Sequence, residues 1–447
     1  MNTRELIVEI LLEILEKEKY SHLVIRDVLQ KYDYLDSRDK AFIKRVADGC
    51  VEWKIKIDYI INQFSKVKVE RQKPLIRTIL RMSVYQLMFM DNIPDSAVCN
   101  EAVKLCKKRG FQNLQGFVNG VLRNIARKKE QIEYPDREKD IVEFLSVEYS
   151  MPTWIVEKFI EEQGEEITEK ILAGFMEIEP VTIRMNENAD EESVESLVNE
   201  WKKCKVEVGK HPYLSYAYCL KGIDGVRNLP GFEDGLYTVQ DVSSMLVCEA
   251  AGLKKGDKVI DVCAAPGGKA IHAAQKVGKE GIVSARDLTE YKTSYIEENI
   301  ERMKIENCEV LIWDAREVRE EDIGTADVVI ADLPCSGLGV MGKKKDIKYR
   351  VSKESLDSLV KLQREILDTV YQYVKPGGIL LYSTCTINKQ ENEDNVKWLT
   401  ENYPFETESL SAYLPDELKA GEDGVMQLLP GIHETDGFFI ARLRKKA

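Results

Sequence analysis

The sequence has little of what marks secreted, disulfide-bonded or zinc-binding proteins. Its 447 residues include ten cysteines but only four histidines, and no Cys-x-x-Cys pair occurs, so neither a disulfide framework nor a metal site is expected. No stretch approaches the roughly 18 consecutive apolar residues of a membrane helix. The start of the chain is a glutamate-rich helical pattern, which resembles neither a signal peptide nor a transit peptide. We therefore expect a cytosolic protein without a metal or a membrane partner.

Charge is distributed unevenly along the chain. The formal net charge is −13, yet residues 1–130 hold 25 Lys and Arg against 17 Asp and Glu. The densest positive charge forms a cluster, called here the 101–130 cluster, of Lys104, Lys107, Lys108, Arg109, Arg123, Arg127, Lys128 and Lys129. Such clustering is typical of a surface that binds phosphates, although it also fits a solvated helix surface that binds nothing.

The periodicity of apolar residues divides the chain into three predicted domains. Residues 1–135 show helical spacing throughout, which predicts an all-α bundle. Residues 140–232 follow the order helix, strand, helix, strand, strand, which suits a small α+β module that resembles part of an RNA-recognition fold, or a plain spacer. Residues 233–447 alternate apolar strands with amphipathic helices, which predicts a doubly wound, Rossmann-like α/β domain.

Five parallel strands and a closing pair are expected in the last domain. Their apolar runs suit strands that are buried on both faces of a sheet. The five strands are predicted at 258–263, 282–287, 310–314, 328–332 and 379–385, and the closing pair at 426–429 and 438–443. Ligands of such sheets bind beyond the carboxyl ends of the strands, so the residues that follow each strand are the candidates for function.

Glycines and acids follow the first three of these strands, as a nucleoside cofactor would require. The first strand leads into the CAAPGGK loop, which comprises Cys263, Ala264, Ala265, Pro266, Gly267, Gly268 and Lys269. Its paired glycines let the backbone approach a ligand closely. Asp287 ends the second strand, within reach of ribose hydroxyls, and Asp314 ends the third, within reach of an amine. No GxGxxG follows the first strand and no GxxxxGK[ST] occurs, so S-adenosylmethionine, which has no pyrophosphate, fits better than NAD or ATP.

Two cysteines follow the fourth and fifth strands. The fourth leads into Asp332-Leu333-Pro334-Cys335, and the fifth ends at Cys385. A single cysteine in such a place is more often a small core residue than a nucleophile, but two thiols at one edge of a sheet, beside a cofactor loop, favour chemistry. A thiolate that adds to carbon 6 of cytosine makes carbon 5 nucleophilic, and an acid such as Asp332 near ring nitrogen 3 assists the addition. The residues alone do not assign which cysteine attacks.

Together these motifs resemble the RNA cytosine-5 methyltransferases of the NOP2/Sun type. The resemblance covers about residues 140–447 and is carried by 237–244, 261–269, 332–339, 383–386, 391–393 and 437–439. It implies that Cys385 bonds to carbon 6, that Cys335 helps to break this bond, and that the CAAPGGK loop with Asp287, Asp314 and Asp332 holds S-adenosylmethionine. The opposite assignment of the cysteines stays open, because DNA cytosine-5 methyltransferases use the cysteine that follows proline.

Residues 1–135 resemble the NusB family of RNA-binding bundles, through the segments 93–96, 100–103 and 116–123. The resemblance implies binding of RNA or of a ribosomal protein. Joined to the methyltransferase motifs, it implies a monomeric enzyme that methylates cytosine 967 of 16S ribosomal RNA, free or in an early small-subunit particle. Transfer RNA, another ribosomal site, or a non-catalytic role in assembly are the alternatives.

The chain departs from the family pattern beside its motifs. Leu333 stands where alanine is common, Arg286 precedes Asp287, and residues 341–345 replace an Arg-Arg-Lys-Pro run. The candidates to hold the RNA backbone are Lys343, Lys344, Lys345, Lys348 and Arg350. They would flank a cytosine that is single-stranded or flipped out of a helix; a mobile surface loop is the alternative.

Overall fold

The computed structural model describes residues 2–177, 180–223, 225–419 and 421–447, and the chain divides into two compact units. The first unit, called here the helical unit, comprises Met1–Met176 and Met341–Arg350. The second, the sheet unit, comprises Glu177–Val340 and Val351–Ala447. No helix among the described residues is long and apolar enough to cross a membrane. The division at 135–140 and 232–233 into three domains stays a prediction.

The described residues of the helical unit form ten α-helices, and the apolar periodicity of residues 1–135 predicts the helical character of the part that lies within that range. They are α1 Thr3–Leu15, α2 Ser21–Lys31, α3 Ser37–Glu52, α4 Lys54–Phe64, α5 Pro74–Phe89, α6 Asp95–Lys108, α7 Gln115–Arg127, α8 Ile141–Glu148, α9 Thr153–Gln163 and α10 Glu165–Gly174. Proline at the first position of α5 costs no helical hydrogen bond. Residues 78–87 of α5 are all buried, so this helix lies in the centre of the unit and the others pack around it.

Residues 341–350, called here the 341–350 insertion, belong to the helical unit although the sheet unit flanks them in sequence. The Asp346 carboxylate accepts hydrogen bonds from the Ser21 backbone N–H (3.2 Å) and from Ser21 Oγ (2.6 Å). It thereby satisfies a backbone donor at the start of α2. The guanidinium of Arg350 lies 3.6 Å from the centre of the Tyr20 ring, in cation–π contact. The insertion is therefore fixed to α2 at two points.

Two lysines of the insertion are held by Glu52 at the end of α3. Lys345 Nζ lies 2.8 Å from the Glu52 carboxylate, and Lys348 Nζ donates to the Glu52 carbonyl oxygen at 2.8 Å. Lys348 is buried, with 4% of its surface exposed. The prediction that Lys348 contacts RNA is therefore wrong, because its ammonium group is turned into the protein and fixes the insertion to α3.

We expect Lys348 to make the stability of the protein depend on pH. Burial lowers its pKa from 10.5 to about 7, so between these values the unfolded chain binds a proton that the native state does not. Stability should therefore rise with pH across this window, by at most about 1.4 kcal/mol per pH unit. The free energy of unfolding, measured with urea at pH 6.5, 8 and 9.5, should rise more steeply with pH for the wild type than for Lys348→Met, which lacks the titrating group. Lys31→Met, exposed on α2, supplies the control; parallel curves for wild type and Lys348→Met would contradict the prediction.

The sheet unit begins with a small antiparallel sheet. Its elements are β1 Val181–Met185, α11 Glu191–Lys203, β2 Glu207–Lys210, β3 Ala217–Lys221 and β4 Tyr237–Val239. The strand order is β2-β3-β1-β4, with every neighbouring pair antiparallel. The order helix, strand, strand after β1 is as predicted, but β4 comes from sequence beyond the predicted end of the module at 232. Trp201 and Tyr237 pack edge to face in the core below this sheet.

The large sheet confirms the prediction of a doubly wound α/β domain. Its elements are α12 Val242–Ala251, β5 Lys258–Asp261, α13 Gly268–Val277, β6 Ile282–Asp287, α14 Glu290–Met303, β7 Cys308–Ile312, β8 Ala326–Asp332, α15 Lys353–Val370, β9 Val374–Thr384, α16 Glu393–Asn402, β10 Phe405–Thr407, β11 Val425–Leu428 and β12 Phe438–Lys445. The strand order is β10-β12-β9-β8-β5-β6-β7, and β11 pairs with β12. Strands β5 to β9 are parallel, whereas β10, β11 and β12 are antiparallel to their neighbours.

Strand β5 ends at Asp261 and not at 263, and two further strand predictions need correction. Strand β7 is Cys308–Ile312 and not 310–314, so Asp314 lies two residues beyond the strand. This strand is at the edge of the sheet and is only partly buried, which dilutes the apolar signal. Strand β9 starts at Val374, before the residues Pro376, Gly377 and Gly378, which disfavour strands and hid its beginning from the sequence.

Candidate active site

The carboxyl ends of β5, β8 and β9 lie side by side at one edge of the large sheet. Strand β8 pairs in parallel with both β5 and β9, with Asp261 opposite Ile330 and Asp332 opposite Ser383. The chain order reverses here, since β8 and β6 flank β5 on opposite sides. Such a switch point opens a crevice for ligands in α/β sheets. The CAAPGGK loop, Asp332 and both predicted cysteines follow these strands.

The CAAPGGK loop is held by the acid at the end of β6. Asp287, which is buried, accepts hydrogen bonds from the backbone N–H groups of Ala265 (3.1 Å) and Leu288 (2.8 Å). Gly267 has φ = 104°, and a side chain there would come within 3.2 Å of Ile296. Glycine is therefore required where the loop turns into α13. Asp287 thus shapes the loop. Its Oδ1 also lies 3.0 Å from Lys292 Nζ, so Oδ2 is the oxygen that has a second lone pair for a ligand hydroxyl.

Asp314 lies after β7 and accepts hydrogen bonds from Arg316. The guanidinium of Arg316 donates to it from Nη2 at 2.6 Å and from Nε at 3.0 Å. The side-chain hydrogen bonds from Arg316 lower the pKa of Asp314. The unusual Arg286 has a different role: its guanidinium forms an ion pair with buried Asp322 at 2.5 Å. Arg286 is therefore held by Asp322, and Asp287 remains the candidate for the contact with the ribose.

A buried acid that the sequence did not single out lies beneath the loop. Asp261 ends β5 with 1% of its surface exposed, and among the described residues neither carboxyl oxygen has a hydrogen-bond partner within normal geometry. Burial raises the pKa of Asp261 to about 7. An unsatisfied buried carboxyl group costs about 1–3 kcal/mol or more. The group is therefore suited to receive a donor, such as an ammonium group, from a ligand.

Exposed apolar residues complete the features that fit S-adenosylmethionine. Leu288 directly follows β6 and is 54% exposed, and Ile312 ends β7 and is 55% exposed. These side chains are placed to flank the adenine ring of the cofactor. Asp287 suits its ribose hydroxyls, and Asp261 suits the ammonium group of its methionine part. The residues present therefore fit this cofactor.

The two predicted cysteines are in contact. Cys335 lies in the Pro-Cys loop, residues 333–340, and its sulfur is 3.3 Å from that of Cys385. The hydrogen bond with Cys385, burial, and the negative charges of Glu391 and Asp332 all raise the pKa of Cys335. Cys335 is therefore held as a thiol. It is suited to donate a proton or a hydrogen bond, and poorly suited to act as the nucleophile.

An ion pair lies beside the cysteines. Lys269 Nζ is 2.6 Å from the Asp332 carboxylate, which also accepts a hydrogen bond from Ser383 Oγ at 2.8 Å. Burial alone would lower the pKa of Lys269, but Asp332, Asp261 and the Cys385 sulfur raise it above its usual value. The positive charge of Lys269 therefore interacts electrostatically with the Cys385 sulfur, and this interaction favours a thiolate. The sequence placed Lys269 only in the cofactor loop.

Glu391 holds the Pro-Cys loop and is a functional residue whose role sequence reasoning missed. It is fully buried and accepts four hydrogen bonds. The donors are Ser336 N (2.9 Å), Ser336 Oγ (2.5 Å), Gln363 Nε2 (2.9 Å) and Asn388 Nδ2 (2.9 Å). A carboxylate with this many donors is a rigid anchor for the residue that follows Cys335. The only signal in the sequence is its place in the quoted motif 391–393.

Two further contacts fix the segment around Cys385. Asn392 accepts a hydrogen bond from Thr384 Oγ1 (2.6 Å) and donates to the Thr386 carbonyl (3.0 Å), so it clamps both neighbours of the cysteine. Gly339 donates from its N–H to the Cys385 carbonyl at 3.1 Å. A side chain on Gly339 would lie 2.0 Å from the Gly437 carbonyl oxygen. The two cysteine-bearing segments are therefore locked together through backbone contact.

Comparisons with known proteins agree with this site. Family models match residues 1–127 as the NusB family and residues 250–444 as "16S rRNA methyltransferase RsmB/F". The "Probable ribosomal RNA small subunit methyltransferase B" of Bacillus subtilis is 34% identical, with 100% of this chain and 99% of that protein covered. A protein of the same name from Synechocystis is 31% identical, with both chains fully covered. The crystal structure of PH0851 has a TM-score of 0.81 at 27% identity, and 100% of this chain and 99% of that chain are covered.

The Rossmann-like sheet with its switch-point site, together with the family match, makes the protein an S-adenosylmethionine-dependent RNA methyltransferase that carries a NusB domain at the N-terminal end of its sequence. The chain belongs to the RsmB (Fmu) family of ribosomal RNA small subunit cytosine-5 methyltransferases.

Proposed function

We propose that the protein methylates carbon 5 of cytosine 967 in 16S ribosomal RNA through a covalent bond between Cys385 and carbon 6 of the base, with Cys335 assisting release. The observation that carries the proposal is the pair of cysteine sulfur atoms 3.3 Å apart. A methyltransferase whose substrate atom is already nucleophilic needs neither a covalent bond to the substrate nor a second thiol to release it. Family membership supports a ribosomal substrate. We further propose that the protein acts as a monomer in the cytosol, on free RNA or an early small-subunit particle.

The ion pair explains how the addition starts. Cys385 attacks carbon 6 as a thiolate, which the Lys269 ammonium group stabilises. During the addition, electron density of the cytosine ring moves toward nitrogen 3, which is stabilised by a hydrogen-bond donor. The exocyclic amine of the cytosine needs a hydrogen-bond acceptor. Lys269 and Asp332 offer one of each, 2.6 Å apart. We therefore assign recognition of the cytosine edge to the pair, and not to Asp332 acting alone as an acid.

The second thiol has its role at the end of the reaction. After addition, carbon 5 takes the electrophilic methyl group that S-adenosylmethionine supplies. A water molecule then takes the carbon 5 proton, the double bond between carbons 5 and 6 re-forms, and Cys385 leaves carbon 6 as a thiolate. The Cys335 thiol, whose pKa is raised, donates a hydrogen bond to the departing sulfur. For the cofactor itself we assign residues 263–269, with Asp287, Asp314 and Asp332.

Methylation of defined RNAs tests the proposed function. We expect purified protein and S-adenosylmethionine to place one 5-methylcytosine in 16S ribosomal RNA transcribed in vitro, at cytosine 967, as read by bisulfite sequencing. A transcript with uridine at this position should take up no methyl group and is the control. Methylation of transfer RNA alone, or of another ribosomal cytosine, would overturn the proposed target and leave the enzyme class intact.

A further inference from the structure

The two cysteines of the candidate active site lie at one edge of the large sheet, because they follow neighbouring strands. Cys335 follows β8 and Cys385 follows β9, and these two strands pair in parallel. The Gly339 N–H donates to the Cys385 carbonyl oxygen at 3.1 Å, which joins the two segments. The sulfur atoms are 3.3 Å apart, whereas a disulfide needs about 2.0 Å. Side-chain movements of about 1.3 Å in total would therefore bring them to bonding distance.

Both cysteines of the pair are accessible to small molecules in solution. Cys335 and Cys385 are partly exposed. Cysteines of the chain that are buried include Cys50, Cys106 and Cys248. Oxidation selects thiols that are accessible and that have thiolate character. The pair meets the first of these conditions without any change of fold.

The charges beside the pair meet the second condition for Cys385. The Lys269 ammonium group interacts electrostatically with the Cys385 sulfur, and its ion pair with Asp332 at 2.6 Å holds it in place. A cation beside a thiol favours the thiolate, which is the form that attacks an oxidant. Cys335 is held as a thiol, since the hydrogen bond with Cys385 is the largest cause of its raised pKa. The two sulfurs therefore differ as an attacking and a resolving cysteine do.

We propose that Cys335 and Cys385 form a disulfide when a peroxide oxidises the RNA-free enzyme, and that this bond stops methyl transfer until a dithiol reduces it. The pair is then a site of reversible oxidation, which is the usual role of disulfides in a reducing compartment. The bond itself goes beyond the proposed function. Its effect on methyl transfer rests on that function, because the function gives each thiol a part in catalysis.

The oxidation takes two steps. The Cys385 thiolate attacks one oxygen of hydrogen peroxide, the O–O bond breaks, and a sulfenic acid and a hydroxide ion form. The Cys335 sulfur then attacks the sulfenic sulfur, its proton passes to the departing hydroxyl group, and water leaves as the S–S bond forms. The two sulfurs lose two electrons in total, which the peroxide gains. Because the first step removes the negative charge of Cys385, it also removes one cause of the raised pKa of Cys335 and prepares this thiol for the second step.

Peptide mapping of the full-length protein after brief treatment with hydrogen peroxide tests the proposal. Trypsin should release residues 320–343 joined to residues 365–389, each with one cysteine, at a mass about 2 Da below the sum of the two peptides. Methyl transfer to 16S RNA should fall at least about tenfold and should return to the untreated rate after dithiothreitol. Cys204→Ala, which removes the exposed thiol after α11, is the matched control and should behave as the wild type does.

A variant without the resolving thiol gives a second measurement. Under the same treatment, Cys335→Ala should carry Cys385 as a sulfinic acid, about 32 Da heavier, which dithiothreitol does not reverse. If the wild-type protein shows this irreversible oxidation and no joined peptide, the disulfide is overturned and the proposed function stays intact. If the joined peptide forms and methyl transfer continues at the untreated rate, the switch is overturned, and Cys385 is not the nucleophile.

Discussion

Replacing Cys385 by alanine should lower methyl transfer on the order of 10⁴-fold or more, as removal of a covalent nucleophile does in other enzymes. Replacing Cys335 by alanine should have a different effect. The nucleophile and the Lys269–Asp332 pair remain, so addition and methylation proceed, but the departing sulfur lacks its donor 3.3 Å away. RNA should therefore accumulate as a covalent adduct of the Cys335→Ala protein.

A denaturing gel of radiolabelled 16S RNA incubated with each variant measures both effects. Cys335→Ala should give a slowly migrating band that protease removes, and Cys385→Ala should give neither a band nor a methylated product. Cys204→Ala, which removes an exposed thiol in the small antiparallel module, is the control. A band with Cys385→Ala and none with Cys335→Ala would reverse the roles, and the raised pKa of Cys335 would then need another explanation.

The part of the site that sequence could predict follows from the geometry of parallel sheets. All strands that run in one direction end at one edge, so residues after β5, β6, β8 and β9 had to gather there. For this reason the CAAPGGK loop, Asp332 and the two cysteines could be grouped from strand periodicity alone. Their separation of 3.3 Å could not, since the two segments are joined by the hydrogen bond from the Gly339 N–H to the Cys385 carbonyl oxygen, a contact between residues far apart in the chain.

The residues that sequence missed are those whose partners lie far along the chain. Glu391 accepts hydrogen bonds from Ser336, 55 residues earlier, and Asp346 accepts from Ser21 across 325 residues. The spacing of apolar residues carries only local information, so the sequence showed Glu391 only as a polar residue that precedes a helix. By composition alone, the 341–350 insertion resembled a basic surface loop. Lys348 was wrongly predicted to bind RNA for the same reason, because its burial depends on α3 and not on its neighbours.

Replacing Glu391 by glutamine should reduce turnover by about 100-fold while the KM for S-adenosylmethionine stays near the wild-type value. Both carboxylate oxygens accept two donors each, and an amide nitrogen in place of either oxygen would face two donors. The loss of these bonds costs about 1–3 kcal/mol for each unsatisfied group. The Pro-Cys loop should then shift, and a displacement of about 1 Å at a reacting group can cost 10²-fold in rate. No described hydrogen bond joins Glu391 to residues 263–269, so cofactor binding should survive.

Thiol titration separates this role from a general loss of stability. The negative charge of Glu391 contributes to the raised pKa of Cys335, so in Glu391→Gln this thiol should react with a disulfide reagent at a lower pH than in the wild type. Cys335→Ala in the same background identifies the reacting sulfur. Glu401→Gln, exposed on α16, is the matched control and should change neither turnover nor titration. If Glu391→Gln keeps wild-type turnover and the titration of Cys335 is unchanged, the carboxylate does not position the Pro-Cys loop, and the loop must be held by its backbone contacts alone.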